Sequence, residues 1–454
     1  MLAIPLVASS LSGVVFQLVD LGFVSRLGEQ ATTAVIVTNQ SLRQVFFVLV
    51  FGASFGAQGL IARHVGAGRT DRADHVAGQM ILMGLGFSLV MAAVGLSAAR
   101  PMLAAMNVSK AVLEIGVPYV QLIFALNLPF VVVFLASAIL QGAGDSTTPL
   151  FVSLIQTALG LGGEWLLMFG HAGLPALGIL GIPLGLLVGQ GVAVAVYGFL
   201  LLRGSARIHI RLHHLRPDLQ VVREIARLSW PPALQMLGGF GITVLFLRLV
   251  GSFGEQAQTA YAIGLRLSML GPMLVMPLAG AAATLVGQNL GAGDIRRAWR
   301  AMGVGLAASV AVMWTIASGL FWFRYAILGA FSDDPQVIAI GGELLAFQAG
   351  TFALYAFFFV FFRTLQSAGD VLAPMVLSLA VSLLITLPLG FGLSLEAGAG
   401  WGPTGVFAAT LIGALAGTVS TGAWVATGRW TRVARRPGSR KEIAKSGEEA
   451  RDLR

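Results

Sequence analysis

Two carboxylic acids stand where ionisation is costly. Asp20 interrupts an apolar run over 2–24, and Glu164 interrupts another over 149–169. A carboxylate in such surroundings loses most of its hydration when charged, which makes it able to take up a proton at physiological pH. That is the chemistry of proton coupling. Asp20 precedes Arg26 by six residues, about 9 Å along a helix at 1.5 Å per residue. Glu164 lies at a similar depth before His171, so both side chains can face one cavity.

The chain supplies its own control for such residues, because it carries one unit twice. Gln141, Gly144, Asp145, Pro149 and Ser153 return as Gln366, Gly369, Asp370, Pro374 and Ser378, each 225 residues on, and Gly66-Ala-Gly68 returns as Gly291-Ala-Gly293. Pro5 and Gly28 return as Pro231 and Gly254 at an offset of 226. A unit of this length is too long for a solenoid repeat. Scaffold residues should recur in both copies, whereas a coupling site need not. Asp20 maps to Phe246 and Glu164 to Leu389, so both acids are private to the first half. The second half has its own private charges in Arg248, Arg266, Glu343 and Arg363, opposite Gly22, Gln40, Pro118 and Ala138. Arg266 and Glu343 are expected to form a structural ion pair, and Arg363 to snorkel toward the Ala368-Gly-Asp370 loop.

The elements that must hold these groups follow from composition. The chain is 56% hydrophobic and 11% charged, with a mean hydropathy of +0.84, as expected of a protein solvated largely by lipid. Taking roughly 20 apolar residues per crossing, each half holds six spans. They fall near 2–24, 38–62, 76–99, 114–141, 149–169 and 178–202, then 228–250, 258–288, 301–323, 337–366, 373–394 and 403–427. The expected fold is all-α and integral to the membrane. It has 12 transmembrane helices in two parallel six-helix repeats, related by a pseudo-two-fold axis along the membrane normal. The domains are a first bundle over 1–202, a cytoplasmic linker over 203–227, a second bundle over 228–430 and a basic, disordered cytoplasmic tail over 431–454.

Arginines crowd the loops and tail that share a side with the N-terminus, and only Arg26, Arg100, Lys110 and Arg324 flank the other. Both termini are therefore expected to be cytoplasmic. The net charge of +9 reads as topology and not as nucleic-acid binding, since no aromatic stacking platforms interleave the basic residues. The chain has no cysteine, and neither a metal site nor a cofactor is expected. His-Glu-x-x-His is also missing, as is any cysteine nucleophile, which argues against an enzyme. Gln17, Asn39, Gln40, Gln44, Gln121, Asn127 and Gln156 are candidates for lining a first-bundle cavity, although interhelical hydrogen bonding is the commoner role for such groups. Pro5 is a plausible hinge of the first helix. The Gly-Ala-Gly and Ala-Gly-Asp segments lack the Gly-Lys-Ser/Thr ending of a phosphate loop and read as tight turns.

These markers resemble the MATE (multidrug and toxic compound extrusion) transporters. The resemblance rests on Pro5, on Val19-Asp20-Leu-Gly-Phe-Val-Ser-Arg-Leu-Gly28, on the paired Gly-Ala-Gly and Ala-Gly-Asp turns and on Gly178-Ile-Leu-Gly181. It implies a MATE-type fold with a V-shaped cavity and efflux of cationic or amphipathic organic compounds in exchange for protons or sodium. It also implies a monomer in a bacterial inner membrane. An acid on the first helix and another on the fifth is similar to the DinF-like branch, with glutamate at 164 where that branch often has aspartate. The NorM-like glutamate of the seventh helix would fall at Gly239 or Phe240, so the resemblance favours protons, with sodium coupling as the alternative. A flippase for lipid-linked saccharides is a further rival. It would be expected to line its cavity with basic groups, whereas the deep charges noted in the first half are acidic.

Overall fold

The computed structural model describes residues 3–204, 207–395 and 398–433. Among the described residues there are helices and turns and no strand, as expected where lipid cannot satisfy backbone polar groups. Eleven helices are long and apolar enough to cross a membrane, and a bent pair supplies a twelfth crossing. The first span is Ala3–Ser25. The second runs from Glu29–Val37 through a π-helical turn, Thr38–Leu42, into Arg43–Gly66. The third is Thr70–Ala104, the fifth Thr147–Phe169 and the sixth Gly181–Arg203.

The fourth span, expected near 114–141, is bent. It comprises Lys110–Ala125 and Leu128–Ala143, bent by 44°. Pro129 explains the break, since it has no N–H to continue the helical ladder. Asn127 compensates: its amide donates to the Phe124 carbonyl and, at 3.2 Å, to the Ser88 carbonyl of the third span. The Ala-Gly-Asp segments are turns. Gly144 and Gly369 adopt φ of 98° and 88°, a region that glycine enters without steric cost, and Asp145 then accepts the Thr147 and Thr148 N–H groups at 3.0 Å.

The chain divides into two compact units, one holding residues up to Val65 and Arg69–Leu237, the other Gly66–Gly68 and Gly238 onward. Within the first unit, the segment read as a linker over 203–227 is largely folded. Ile208 and Ile210 are buried, a short 3-10 turn covers Leu212–Leu215, and the seventh span already begins at Leu219, running to Gly251. In the second unit, Glu255–Gly291, Ile295–Trp322, Pro335–Ala368, Leu372–Ser394 and Pro403–Ala426 complete the set of spans. A helical turn, Trp430–Val433, joins the second bundle to the segment read as a tail over 431–454, and its buried Trp430 meets Trp299 edge-on at 5.1 Å. The rest of that segment lies outside the described residues.

Candidate coupling site in the first bundle

The first and fifth spans run side by side in a fixed register. Ser9 donates to the Ser153 hydroxyl at 3.0 Å and Ser12 to the Thr157 hydroxyl at 3.0 Å. Gly160 faces Phe16 one turn on. Continuing that register puts Asp20 at the level of Glu164, for which it is an electrostatic neighbour. Hydroxyl pairs between helices in lipid contribute on the order of 1 kcal/mol each, so their main effect here is to fix the level at which the two acids meet.

A seam of glycine positions Glu164 from behind. Gly181, Gly185 and Gly189 recur every fourth residue on the sixth span, so one face of that helix lacks side chains. A Cβ at Gly185 would collide with the Glu164 backbone, one at Gly189 with the Gln156 carbonyl, and one at Gly181 would lie 2.6 Å from the Met168 nitrogen. Backbones in such contact gain packing that larger residues prevent. The result is a glutamate with 0% exposure whose two carboxyl oxygens have no hydrogen-bond partner. Asp20 is half-buried, and its Oδ1 is likewise unpartnered.

The second span brings groups that the sequence reading missed. Its π-helical turn shifts the helical phase at Asn39 and Arg43, and such turns recur at functional sites. Asn39 donates from Nδ2 to the hydroxyl of fully buried Tyr119 at 3.3 Å, and its Oδ1 is unpartnered. Arg43 is electrostatically coupled to both Asp20 and Tyr119. The first bundle's deep charges are therefore not all acidic, which corrects the reading used against the flippase rival. A signal for Arg43 was present: at the offset of 226 its counterpart is Met269, so it too is private to the first half.

The other candidates divide. Gln17 and Gln44 are exposed, Gln156 is half-buried, and the side chain of Gln40 lies outside the described residues. Gln121 donates to the Leu96 carbonyl at 3.2 Å, so both it and Asn127 tie the third and fourth spans together, and their reading as cavity-lining groups gives way to that role. Pro5 lies near the described beginning of a helix that runs unbroken to Ser25. In the second bundle the expected Arg266–Glu343 ion pair is not formed. Both residues are exposed, and Glu343 accepts from the Thr404 hydroxyl at 2.7 Å, close to the start of the twelfth span. Arg363 does not snorkel: it is buried and donates to Gln366 Oε1 at 2.9 Å.

One cluster among the described residues, Asp71, His213 and His214, places ligand-type atoms within 4.8 Å of one another. Its hydrogen bonds serve the strap that precedes the seventh span. His214 Nδ1 accepts from the Arg211 N–H at 3.2 Å, which leaves the ring proton on Nε2, 3.2 Å from the Asp71 carboxylate. That tautomer offers no lone pair to a cation at Nε2. Gln79 donates to the His214 and Arg216 carbonyls at 2.8 and 2.7 Å and accepts the Asp218 N–H at 2.9 Å. Asp218 accepts from His75 at 3.0 Å, and that bond holds its carboxyl below the usual range. These contacts strap 207–218 to the beginning of the third span.

The twelve apolar crossings among the described residues mark a multi-pass membrane protein; that it is a transporter and not an enzyme follows from its family. The MatE family model matches residues 5–166 and 231–391; the chain belongs to that family. It is 24% identical over 399 residues to a probable multidrug resistance protein NorM of Thermotoga maritima, covering 86% of this chain and 84% of the relative. It is 26% identical over 431 residues to the multidrug resistance protein PmpM of Pseudomonas aeruginosa, covering 91% and 87%. The Vibrio cholerae MATE transporter VcmN in its bent form superimposes with a TM-score of 0.86 at 20% identity, over 95% of this chain and 96% of that one.

Proposed function

We propose that this transporter exports cationic or amphipathic organic compounds in exchange for protons by alternating access, with Asp20 and Glu164 as the proton-coupling pair. The observation that carries the reading is the level shared by two private acids, one of them with both carboxyl oxygens buried and unpartnered. Neutral, such a pair is stable in its surroundings; ionised, it calls for a counter-charge. A substrate cation or a change in helix packing meets that demand, and this links proton release to substrate uptake. The names of the relatives, multidrug resistance proteins, support the substrate class. A carboxylate on the first and fifth spans, together with Gly239 and Phe240 on the seventh, supports the DinF-like branch and proton over sodium. Arginine-rich loops support cytoplasmic termini in a bacterial inner membrane, and Pro5 is the hinge this reading assigns to the first span.

The test is dye-driven proton release from proteoliposomes in sodium-free buffer. Wild type should exchange ethidium for protons, whereas Asp20→Asn and Glu164→Gln should bind the dye without exchange. Exchange that needs sodium, or that survives both substitutions, overturns the assignment.

A further inference from the structure

The two Gly-Ala-Gly turns share a backbone and differ in charge. Gly68 and Gly293 adopt φ of 71° and 79°, and the N–H groups of Arg69 and Asp294 donate at 2.9 Å to the carbonyls of His64 and Asn289. In the second half, Asp294 accepts the Arg297 N–H at 2.8 Å and pairs with the Arg297 side chain at 3.3 Å. Gln288 and Asn289 precede that turn, and the corresponding residues of the first half are Arg63 and His64, with Arg69 in place of Asp294. Arg69 stands at the N-cap of the third span without capping it, and its Nε is buried with no hydrogen-bond partner. A turn that works without cations in one copy therefore gathers them in the other. Topology does not require this, because exposed arginines just beyond the turn, as at 296, 297 and 300, already mark the side.

The seventh span completes the cluster. Gly52 and Gly56 of the second span admit it so closely that a Cβ at either would collide with Ser229 or Leu228. Two turns beyond Gly56, Arg63 has Arg69, Arg227 and Glu224 as electrostatic neighbours. Arg223, Arg227, Trp230, Leu234 and Leu237 follow one another at intervals of four, three, four and three residues and are all exposed, so they form one face of the helix. Val221, Ile225 and Leu228 are buried on the other. About 30 Å of hydrocarbon takes about 20 residues of helix. Counted back from Gly251, where the span ends, that distance is used up near Trp230. Arg227 then lies at headgroup depth, Leu234 and Leu237 lie among acyl chains, and the indole sits at the boundary that tryptophan favours. Cation, indole and leucines thus follow the order of a phospholipid read from its phosphate inward.

We propose that Arg63, Arg69 and Arg227 hold the phosphate of one anionic phospholipid, with its glycerol beside Trp230 and an acyl chain along Leu234 and Leu237. Guanidinium forks match the oxygens of a phosphate. Arg63 and Arg69 are half-buried, so their attraction is screened less than that of exposed charges. Held there, the lipid bridges the ends of the second, third and seventh spans.

The experiment is native mass spectrometry of the purified full-length protein in detergent micelles that carry equal amounts of phosphatidylglycerol and phosphatidylcholine with identical acyl chains. Wild type should retain one phosphatidylglycerol over phosphatidylcholine by about tenfold or more, since each arginine near an anionic lipid contributes on the order of fivefold. The double substitution Arg63→Gln with Arg69→Asp, which installs the residues of the second half, should erase the preference. Arg296→Gln with Arg300→Gln should keep it. Soluble glycerol phosphate at millimolar concentration should not displace the lipid. The comparison of the two lipids needs wild type alone, so a variant that fails to fold leaves the proposal testable. Equal retention of both lipids by wild type overturns it, as does a preference that survives the first double substitution or is lost with the second. Displacement by glycerol phosphate also overturns it, because the site would then take a soluble anion.

Discussion

The same helices appear in both bundles, and at equivalent places they carry opposite solutions. In the first bundle, Asp20, Glu164, Tyr119 and Arg43 meet around unpartnered oxygens. In the second, the equivalent positions are Phe246, Leu389, Leu344 and Met269. Phe246 is buried, packs in one apolar cluster with Leu344 and Phe407, and its ring lies against Gly390, next to Leu389. The seam that holds an acid pair in one bundle is closed with an aromatic ring in the other. The scaffold itself is retained: Gly405 and Gly413 on the twelfth span press against the eleventh as Gly181 and Gly189 on the sixth press against the fifth. A packed glycine seam is therefore structural in both copies, and the carboxylates set into it belong to function.

Exchanging the two solutions is the strongest way to break the comparison. Asp20→Phe installs the second bundle's residue and should abolish dye-driven proton release while the protein still elutes as a folded species, because the scaffold already accommodates this ring once. An active Asp20→Phe transporter would show that the charge is dispensable. The reverse exchange, Phe246→Asp, removes a buried ring and strands a carboxylate. It should cost about 3 kcal/mol or more, read as a lower midpoint of thermal unfolding in detergent.

The glycine seam gives the next effect. Gly185→Leu forces a side chain onto the Glu164 backbone and should destabilise by about 1–3 kcal/mol. Gly191→Leu, at a position where an added Cβ meets nothing within 4 Å, should change stability by less than about 0.5 kcal/mol. Equal effects at the two sites would remove the seam from the account.

The smallest effect concerns the strap. The bond from His75 depresses the folded-state pKa of Asp218, so its contribution to strap stability is present above the ordinary carboxylate range and is lost as pH falls through the lower folded value. The protection factors of amides over 207–218, corrected for the intrinsic pH dependence of exchange, should therefore fall at acid pH, and His75→Asn should lower them already at neutral pH. Exchange indifferent to both would place the holding force in Gln79 and the buried isoleucines.

The sequence by itself determined the duplication, the positions of the spans and the privacy of Asp20 and Glu164, because these depend on hydropathy and on comparing the chain with itself. It located turns at Gly144 and Gly369, since only local backbone conformation is at stake there. Tertiary structure alone decided the rest. Whether a polar side chain lines a site or bridges two helices depends on its neighbour across the seam: Gln121 and Asn127 reach third-span carbonyls, and Glu343 meets Thr404 and not Arg266. The bend of the fourth span follows from Pro129, yet only packing shows that Asn127 satisfies the broken ladder. Arg43 and Tyr119 join the acids because a π-helical turn rotates one span against the next and a register of hydroxyls levels two others. Those relations hold between segments far apart in the chain, where neither periodicity nor composition carries information.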